Sequence, residues 1–370
     1  MKPYRTMKPY RADVIGSMLR PDYLHRARAA FAAGEIAEAA FKHVEDRAVD
    51  ECVAIQEGCG MDVVADGEMR RNVFASQLAE AAEGFGPVDN NSVDWFTMEG
   101  EIETSPVTVG VTGKIRMKRS LSAEEYVYLC ARTPTPAKMT LPSPTMYAYY
   151  WVPGVSDATY GSVENYMAHV TEILANEVTK LVRLDCEYIQ FDAPEFGMLL
   201  DDHQRVWFRA KGFRPEYMVH DGIDMLNTII DGHPDTVFGL HICRGNDANR
   251  YMAAGGYGEF ARELFARTRA QRLLLEYDDE RSSDFAPLGE VPDDKFVVLG
   301  LITTKFPREE SREEIETRVN KAARYVDKAR LALSTQCGFA SVAKGNNLGF
   351  ALQEKKLSLV AEAARTIWPD

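Results

Sequence analysis

Residues 236–243 read TVFGLHIC, an apolar run that ends on a histidine and a cysteine before the chain turns through Arg-Gly-Asn at 244–246. If this run is a strand, its side chains alternate between faces. His241 and Cys243 then point to one side and Ile242 to the other. A nitrogen and a sulfur donor on one face make half of a zinc site. A strand that closes on a buried cysteine and a turn-facing histidine reads the same way, because free cysteine is commonly a core residue.

Seven other stretches share this design: ADVIGSML (12–19), MDVVADGE (61–68), AKMTLPSP (137–144), CEYIQFDAP (186–194), RLLLEYDD (272–279), FVVLGLITTK (296–305) and LALSTQCGF (331–339). Most are separated by amphipathic stretches long enough for a helical crossover. Strand–helix alternation predicts an α/β fold with a parallel sheet, and eight repeats predict a closed (β/α)8 TIM barrel. The stretch 90–116, ending SPVTVGVTGKI, reads as a β-hairpin inserted after the second unit. The expected organisation is one barrel domain over 1–370, with residues 1–11 as an N-terminal extension. The near-duplicate MKPYRT/MKPYRA at the start reads as an alternative start or a cloning scar, not a structural repeat.

Composition narrows the function. The chain has 370 residues, 45% apolar and 27% charged, enough to bury a large core. A net charge of −13 with no basic block argues against nucleic-acid or anionic-membrane partners. No window approaches the ~18 apolar residues of a membrane span. The start lacks a signal-peptide core, which points to the cytoplasm. The six cysteines (52, 59, 130, 186, 243 and 337) are scattered, as expected of free thiols or metal ligands in a reducing compartment. Cys52 and Cys59 read as structural, and Cys186 as packing at a strand's start. The oligomeric state is left open, a homo-oligomer included.

Nearly every predicted strand ends in polar or reactive residues: Ser17, Asp66 and Glu68, Ser143, Asp192, His241 and Cys243, Glu276 and Asp278, Lys305, Cys337. Barrel enzymes build their active sites at those ends. In this register His241, Cys243, Glu276 and Cys337 offer one nitrogen, two sulfurs and one oxygen, a donor set that zinc accepts. Two thiolates and a carboxylate leave such an ion electron-rich, suited to holding an incoming thiol as thiolate. Other readings stand beside this one. Cys337 also suits a core cysteine before a glycine turn, Glu276 a salt-bridge partner of Arg281, and the spacing matches no compact zinc motif. Asp278 and Asp279 are candidates to hydrogen-bond the outer nitrogen of His241. Arg244 and Asn246 either orient substrate or satisfy the turn. The run YAYYW (147–151) reads as core in preference to a lid.

The H-x-C strand end, the segment LLLEYDDERSSD and the Cys-Gly after the last strand resemble the catalytic half of cobalamin-independent methionine synthase. The runs HICRGN, LEYDD, VVLGLITTK and QCGFAS are especially similar to that family's short single-domain branch, and the resemblance spans about residues 12–365. It implies a (β/α)8 barrel and zinc that activates a thiol for alkyl transfer, with His241, Cys243, Glu276 and Cys337 as ligands. The IGS at 15–17 implies that Ile15 and Ser17 hold an amino-acid substrate. DGE at 66–68 implies Glu68, and FDAP implies Asp192, for its ammonium group.

The sequence also departs from the family. The second, N-terminal barrel that helps the large synthase hold polyglutamylated folate has no counterpart in these 370 residues. Pro142 and Ser143 stand where the large enzyme has a tryptophan-containing segment, with Trp151 further on. KFPR puts Lys305 where the family has a proposed proton-donating histidine, so Lys305 becomes the candidate catalytic cation, alongside Asp192. The expected activity is zinc-dependent methyl transfer to homocysteine, giving methionine. The donor is left open among methyl-folate, a methyl-corrinoid on a partner protein and simpler methyl compounds. The alternative is alkylation of another thiol, such as coenzyme M with an epoxide. A barrel with a purely structural zinc and a porphyrinogen-type decarboxylase are further readings.

Overall fold

The computed structural model describes residues 8–89 and 91–369, which hold ten strands. Four form antiparallel pairs: β1 (Ala82–Pro87), β2 (Ser92–Phe96), β3 (Ile102–Pro106) and β4 (Val109–Met117). The other six are β5 (Met139–Pro142), β6 (Tyr188–Asp192), β7 (Val237–Ile242), β8 (Arg272–Glu276), β9 (Phe296–Ile302) and β10 (Leu331–Thr335). These six make one parallel sheet in sequential order, so six of the eight expected strands are present. Almost every residue in them is buried, which is why they read as continuous apolar runs without alternation. The register sets Asp192 beside His241 and Glu276 beside Gly300, bringing the reactive strand ends to one edge.

Helices supply the crossovers. Val163–Arg183 is typical: the Ser162 hydroxyl caps it by accepting from the Asn165 N–H at 3.3 Å. Its apolar residues Tyr166, Met167, Val170, Ile173, Leu174, Val178 and Leu181 recur at helical spacing and are all buried.

The first two expected strands are not strands in the structure. Each keeps a single parallel bridge, Ala12 to Leu333 at one border of the sheet and Val64 to Ala137 at the other. The Ala12 carbonyl still accepts from the Asp62 N–H at 3.0 Å, but side chains have taken other backbone groups that a ladder needs. The Asp62 carboxylate accepts from Ala12 N–H at 3.0 Å. The Gln56 amide brackets Ala65, accepting from its N–H at 3.0 Å and donating to its carbonyl at 2.8 Å. Beyond it, Gly67 (φ 66) and Glu68 (φ 56) are left-handed and turn the chain.

The segment around the expected 90–116 hairpin carries two nested ladders over 82–117, β2–β3 lying between the partners β1 and β4. Residue 90, the expected boundary, lies outside the described residues, as do residues 1–7 of the N-terminal duplicate. The tip ladder is tied to the loop after β7 by Phe96 N–H to the Tyr251 carbonyl (2.7 Å) and the reverse bond (3.0 Å).

Inside the sheet lies a fully buried ionic network. Asp13 meets Lys138 at 2.7 Å, Arg272 at 3.1 Å and the Tyr188 hydroxyl at 2.9 Å, and Lys138 also donates to Gln190 at 2.6 Å. Losing one partner of such a buried pair typically costs about 3–5 kcal/mol.

Candidate metal centre and active site

His241 is the penultimate residue of β7, Cys243 follows the strand, and Cys337 lies just past β10. Sheet pairing brings together three residues separated by almost a hundred positions. Their donor atoms all lie within 4.8 Å of one another, with the two sulfurs 3.8 Å apart, and all three side chains are buried. The His241 Nδ1 lies 3.1 Å from the Leu274 carbonyl. A carbonyl only accepts, so Nδ1 carries the proton and Nε2 keeps its lone pair. Nε2 is buried and has no hydrogen-bond partner. An orphaned acceptor beside two thiols suits a borderline-soft cation, and zinc fits that donor set. The hydrogen bond from Cys243, helped by His241, holds the Cys337 thiol well below its ordinary value. Cys243 is correspondingly raised, by that bond first and by burial second. Burial lowers the His241 imidazole, but the neighbouring Cys337 sulfur and Asp192 outweigh it and leave the ring raised.

Glu276 closes β8 nearby, outside the three-residue group. Its Oε2 accepts from Arg244 N–H at 2.8 Å, and its Oε1 lies 3.4 Å from Arg281 with no hydrogen-bond partner. The expected roles of Asp278 and Asp279 at His241 fall instead to the Leu274 carbonyl, because that strand's backbone lies closer to the ring. Asp279 binds Arg281 at 2.7 Å. Burial, with the charge of Glu276, pushes the Asp278 carboxyl up to about 7. Arg244 satisfies the turn, its side chain donating to the Gly255 carbonyl.

Lys305 is not brought to the cavity wall. It is buried, and Nζ donates to the Gly245 carbonyl (2.6 Å), Asn246 Oδ1 (3.0 Å) and the Arg250 carbonyl (3.3 Å), bracing the turn after Cys243 from behind.

Ile15, Ser17, Glu68 and Asp192 line the same cavity of about 540 Å³ as the three metal-ligand candidates. Gln190 ties two of them together, its Nε2 donating at 2.7 Å both to the Ile15 carbonyl and to Asp192 Oδ1. Glu68 Oε1 accepts from Thr140 at 2.9 Å and lies 3.5 Å from Arg71, while its Oε2 is buried without a partner. Burial raises both carboxyls, Asp192 to about 7 with the charge of Glu68 contributing. The cavity floor thus offers two carboxylates, one hydroxyl and a soft-ligand cluster.

Sequence reasoning missed the outer wall, where Phe74, Val93, Trp95, Val107, Tyr149 and Tyr150 line the cavity. The run 147–151 is mostly buried, as expected of core, yet two of its tyrosines also face the cavity. It missed Asn346 as well, whose Nδ2 donates to Asn246 Oδ1 (2.9 Å) and to the Thr304 carbonyl (2.8 Å). A lone Asn in a polar loop gives no signal of such a clamp.

The model of the family described as cobalamin-independent synthase, catalytic domain, matches residues 11–355. The chain belongs to the cobalamin-independent methionine synthase family. It is accordingly similar to the uncharacterized protein YxjH of Bacillus subtilis (strain 168), 33% identical over 97% of this chain and 95% of that one. The methionine synthase of Pyrococcus horikoshii is 24% identical over 88% of this chain and 85% of its own. Among solved structures, a B12-independent methionine synthase from Shewanella sp. W3-18-1, in complex with selenomethionine, has the same fold. It superposes with a TM-score of 0.74 at 19% identity, covering 97% of this chain and 98% of that one. This methionine synthase-family enzyme has, among its described residues, no helix long and apolar enough to cross a membrane.

Proposed function

We propose that this enzyme transfers a methyl group to the sulfur of homocysteine, giving methionine, with zinc held by His241, Cys243 and Cys337. The observation that carries this is the placement of those three side chains on the floor of a cavity that also presents Ser17, Glu68 and Asp192. When bound, zinc would hold the acceptor sulfur as a nucleophilic thiolate at neutral pH. Glu68 and Asp192 receive the substrate ammonium group, and Ser17 with the backbone at Ile15 receives its carboxylate. Glu276, whose Oε1 is buried and without a hydrogen bond, would supply a fourth ligand. Lys305 positions the ligand turn. A sulfonate thiol such as coenzyme M is disfavoured, because no lysine or arginine is among the described residues lining the cavity.

In the same reading the chain is one domain, a closed eight-stranded barrel of the cytoplasm. The ladders between the second and third units form its insertion. The bridges at Ala12 and Val64 support closure at both borders of the sheet. So does the small buried cluster of Ile15, Leu274, Val298 and Ala332, which draws on separate segments as an interior barrel layer does.

Zinc K-edge absorption of the purified protein, with and without homocysteine, tests the proposal. A shell with sulfurs near ~2.3 Å that gains one more on adding the thiol is the expected result. An unchanged shell, or a protein that cannot be loaded with zinc, would overturn it.

A further inference from the structure

The thiol and amino-acid groups account for the floor of the cavity but not for its outer wall. That wall is apolar and aromatic, with Phe74, Trp95, Tyr149 and Tyr150 among its residues. Among the described residues lining the cavity there is no lysine or arginine, whereas Glu68, Glu80, Asp192 and Asp247 are all carboxylates. Three arginines stand behind the lining: Arg20 has its guanidinium engaged by the Glu68 carbonyl at 3.0 Å and the Ala340 carbonyl at 2.8 Å, and the other two are each outnumbered by acids. Arg71 lies 3.5 Å from Glu68 and 3.3 Å from Glu125, and Arg250 pairs with Asp247 and, at 2.9 Å, with Glu103, while its guanidinium covers one face of Trp95, 5.5 Å from the ring centroid. Lys305 has its ammonium group engaged by three oxygen acceptors and stays off the wall. A donor with a glutamate tail or a phosphate would find no cation there to pair with. A cationic donor gains from Glu80, the lining acid assigned neither to the acceptor nor to Arg250, and from the aromatic faces left open to the cavity.

We propose that the methyl donor is an onium compound, a sulfonium or quaternary ammonium, held against Trp95, Tyr149 and Tyr150. This rests on the reading of the floor as the site of a thiol acceptor. In the transfer, a lone pair of the acceptor thiolate forms the new S–CH3 bond. The bond from methyl to the cationic sulfur or nitrogen breaks, and its pair stays with the leaving atom. That atom departs as a neutral thioether or tertiary amine, so one negative and one positive charge cancel and no proton is needed. Neither an oxidant nor a general acid enters the balance.

The test is methionine formation by the zinc-loaded protein from homocysteine and each of a set of donors. The oniums are S-methylmethionine, S-adenosylmethionine and glycine betaine; the comparison donors are 5-methyltetrahydrofolate, its triglutamate and methylcobalamin. At least one onium should transfer ten times faster or more than the comparison donors, and which one does so separates sulfonium from ammonium. Trp95→Leu should raise the KM for that donor by about 3- to 30-fold and leave the homocysteine KM unchanged. Glu80→Gln, at an exposed position, should raise the donor KM in the same direction. Transfer from none of the oniums, or equal transfer from a folate or methylcobalamin, overturns the inference. The absorption experiment keeps the two readings apart. If homocysteine enters the metal shell and no onium reacts, the donor inference alone fails; if the thiol does not enter, the acceptor reading fails.

Discussion

Gly338 lies so close to Ser17 that a β-carbon on it would fall 2.0 Å from the serine hydroxyl oxygen and 2.9 Å from its carbonyl. The Phe339 N–H donates to that same carbonyl at 2.7 Å. The glycine after Cys337 is therefore there for space, so that the chain carrying Cys337 can press against the chain carrying Ser17. Gly338→Ala should lower kcat/KM for homocysteine at least tenfold and cost about 1–3 kcal/mol of stability as an overpacked site. Zinc content should be retained. Steady-state kinetics with metal analysis checks this, and a variant with wild-type kinetics would refute the contact.

Cys243→Ser and Cys337→Ser should each lose both metal and turnover, since each removes one of two sulfurs 3.8 Å apart. His241→Ala should do the same. Metal stoichiometry by mass spectrometry is the decisive readout, and a cysteine variant with full zinc and turnover would remove the ligand assignment.

Gln190→Leu should raise the homocysteine KM more than it lowers kcat. Its amide holds the Ile15 carbonyl and Asp192 in mutual position and accepts from Lys138. Leaving those buried groups unpaired should also cost about 1–3 kcal/mol in denaturant titrations. An unchanged KM would show that the bridge does not position the substrate contacts.

Glu195 supplies a pH signature away from the ligands. Burial pushes its carboxyl up to about 7, although the hydroxyls of Ser143 and Thr145 bond it. A raised folded-state value means that the native protein binds the proton more tightly than the unfolded chain. The stabilisation is therefore complete below the unfolded value near 4.5 and is lost as pH rises through about 7. Glu195→Gln cannot titrate, so relative to wild type it should gain up to roughly 3 kcal/mol between pH 4.5 and 8. Urea titrations of both proteins across that range check it, and a constant difference would exclude a buried, titrating Glu195.

The site was more legible than the closure of the sheet. His241, Cys243 and Cys337 could be aligned because alternation along a strand fixes which side chains share a face, and parallel pairing fixes which ends share an edge. Glu276 was placed at the right edge, but no pattern shows that Arg244 N–H and Arg281 would hold its carboxylate. The first two strand candidates had the composition of strands. What shortened them was Asp62 and Gln56 capturing backbone groups of Ala12 and Ala65, a competition that no periodicity records. The wall was illegible for a similar reason: Trp95 and Tyr150 meet there through chain folding, from segments that look like ordinary surface and core.

The nested ladders over 82–117 have one more consequence. Two-stranded antiparallel pairs are marginally stable alone, whereas the ligand-bearing strands are locked in a six-stranded sheet. The segment that carries Val93, Trp95 and Val107 to the cavity wall is thus the part with least stake in the sheet. On the proposed reading, substitutions at Val93, Trp95 or Val107 would retune which methyl compound is admitted and leave His241, Cys243 and Cys337 undisturbed. Wall and floor are thus built on separate elements, so that a change in one leaves the other's geometry in place.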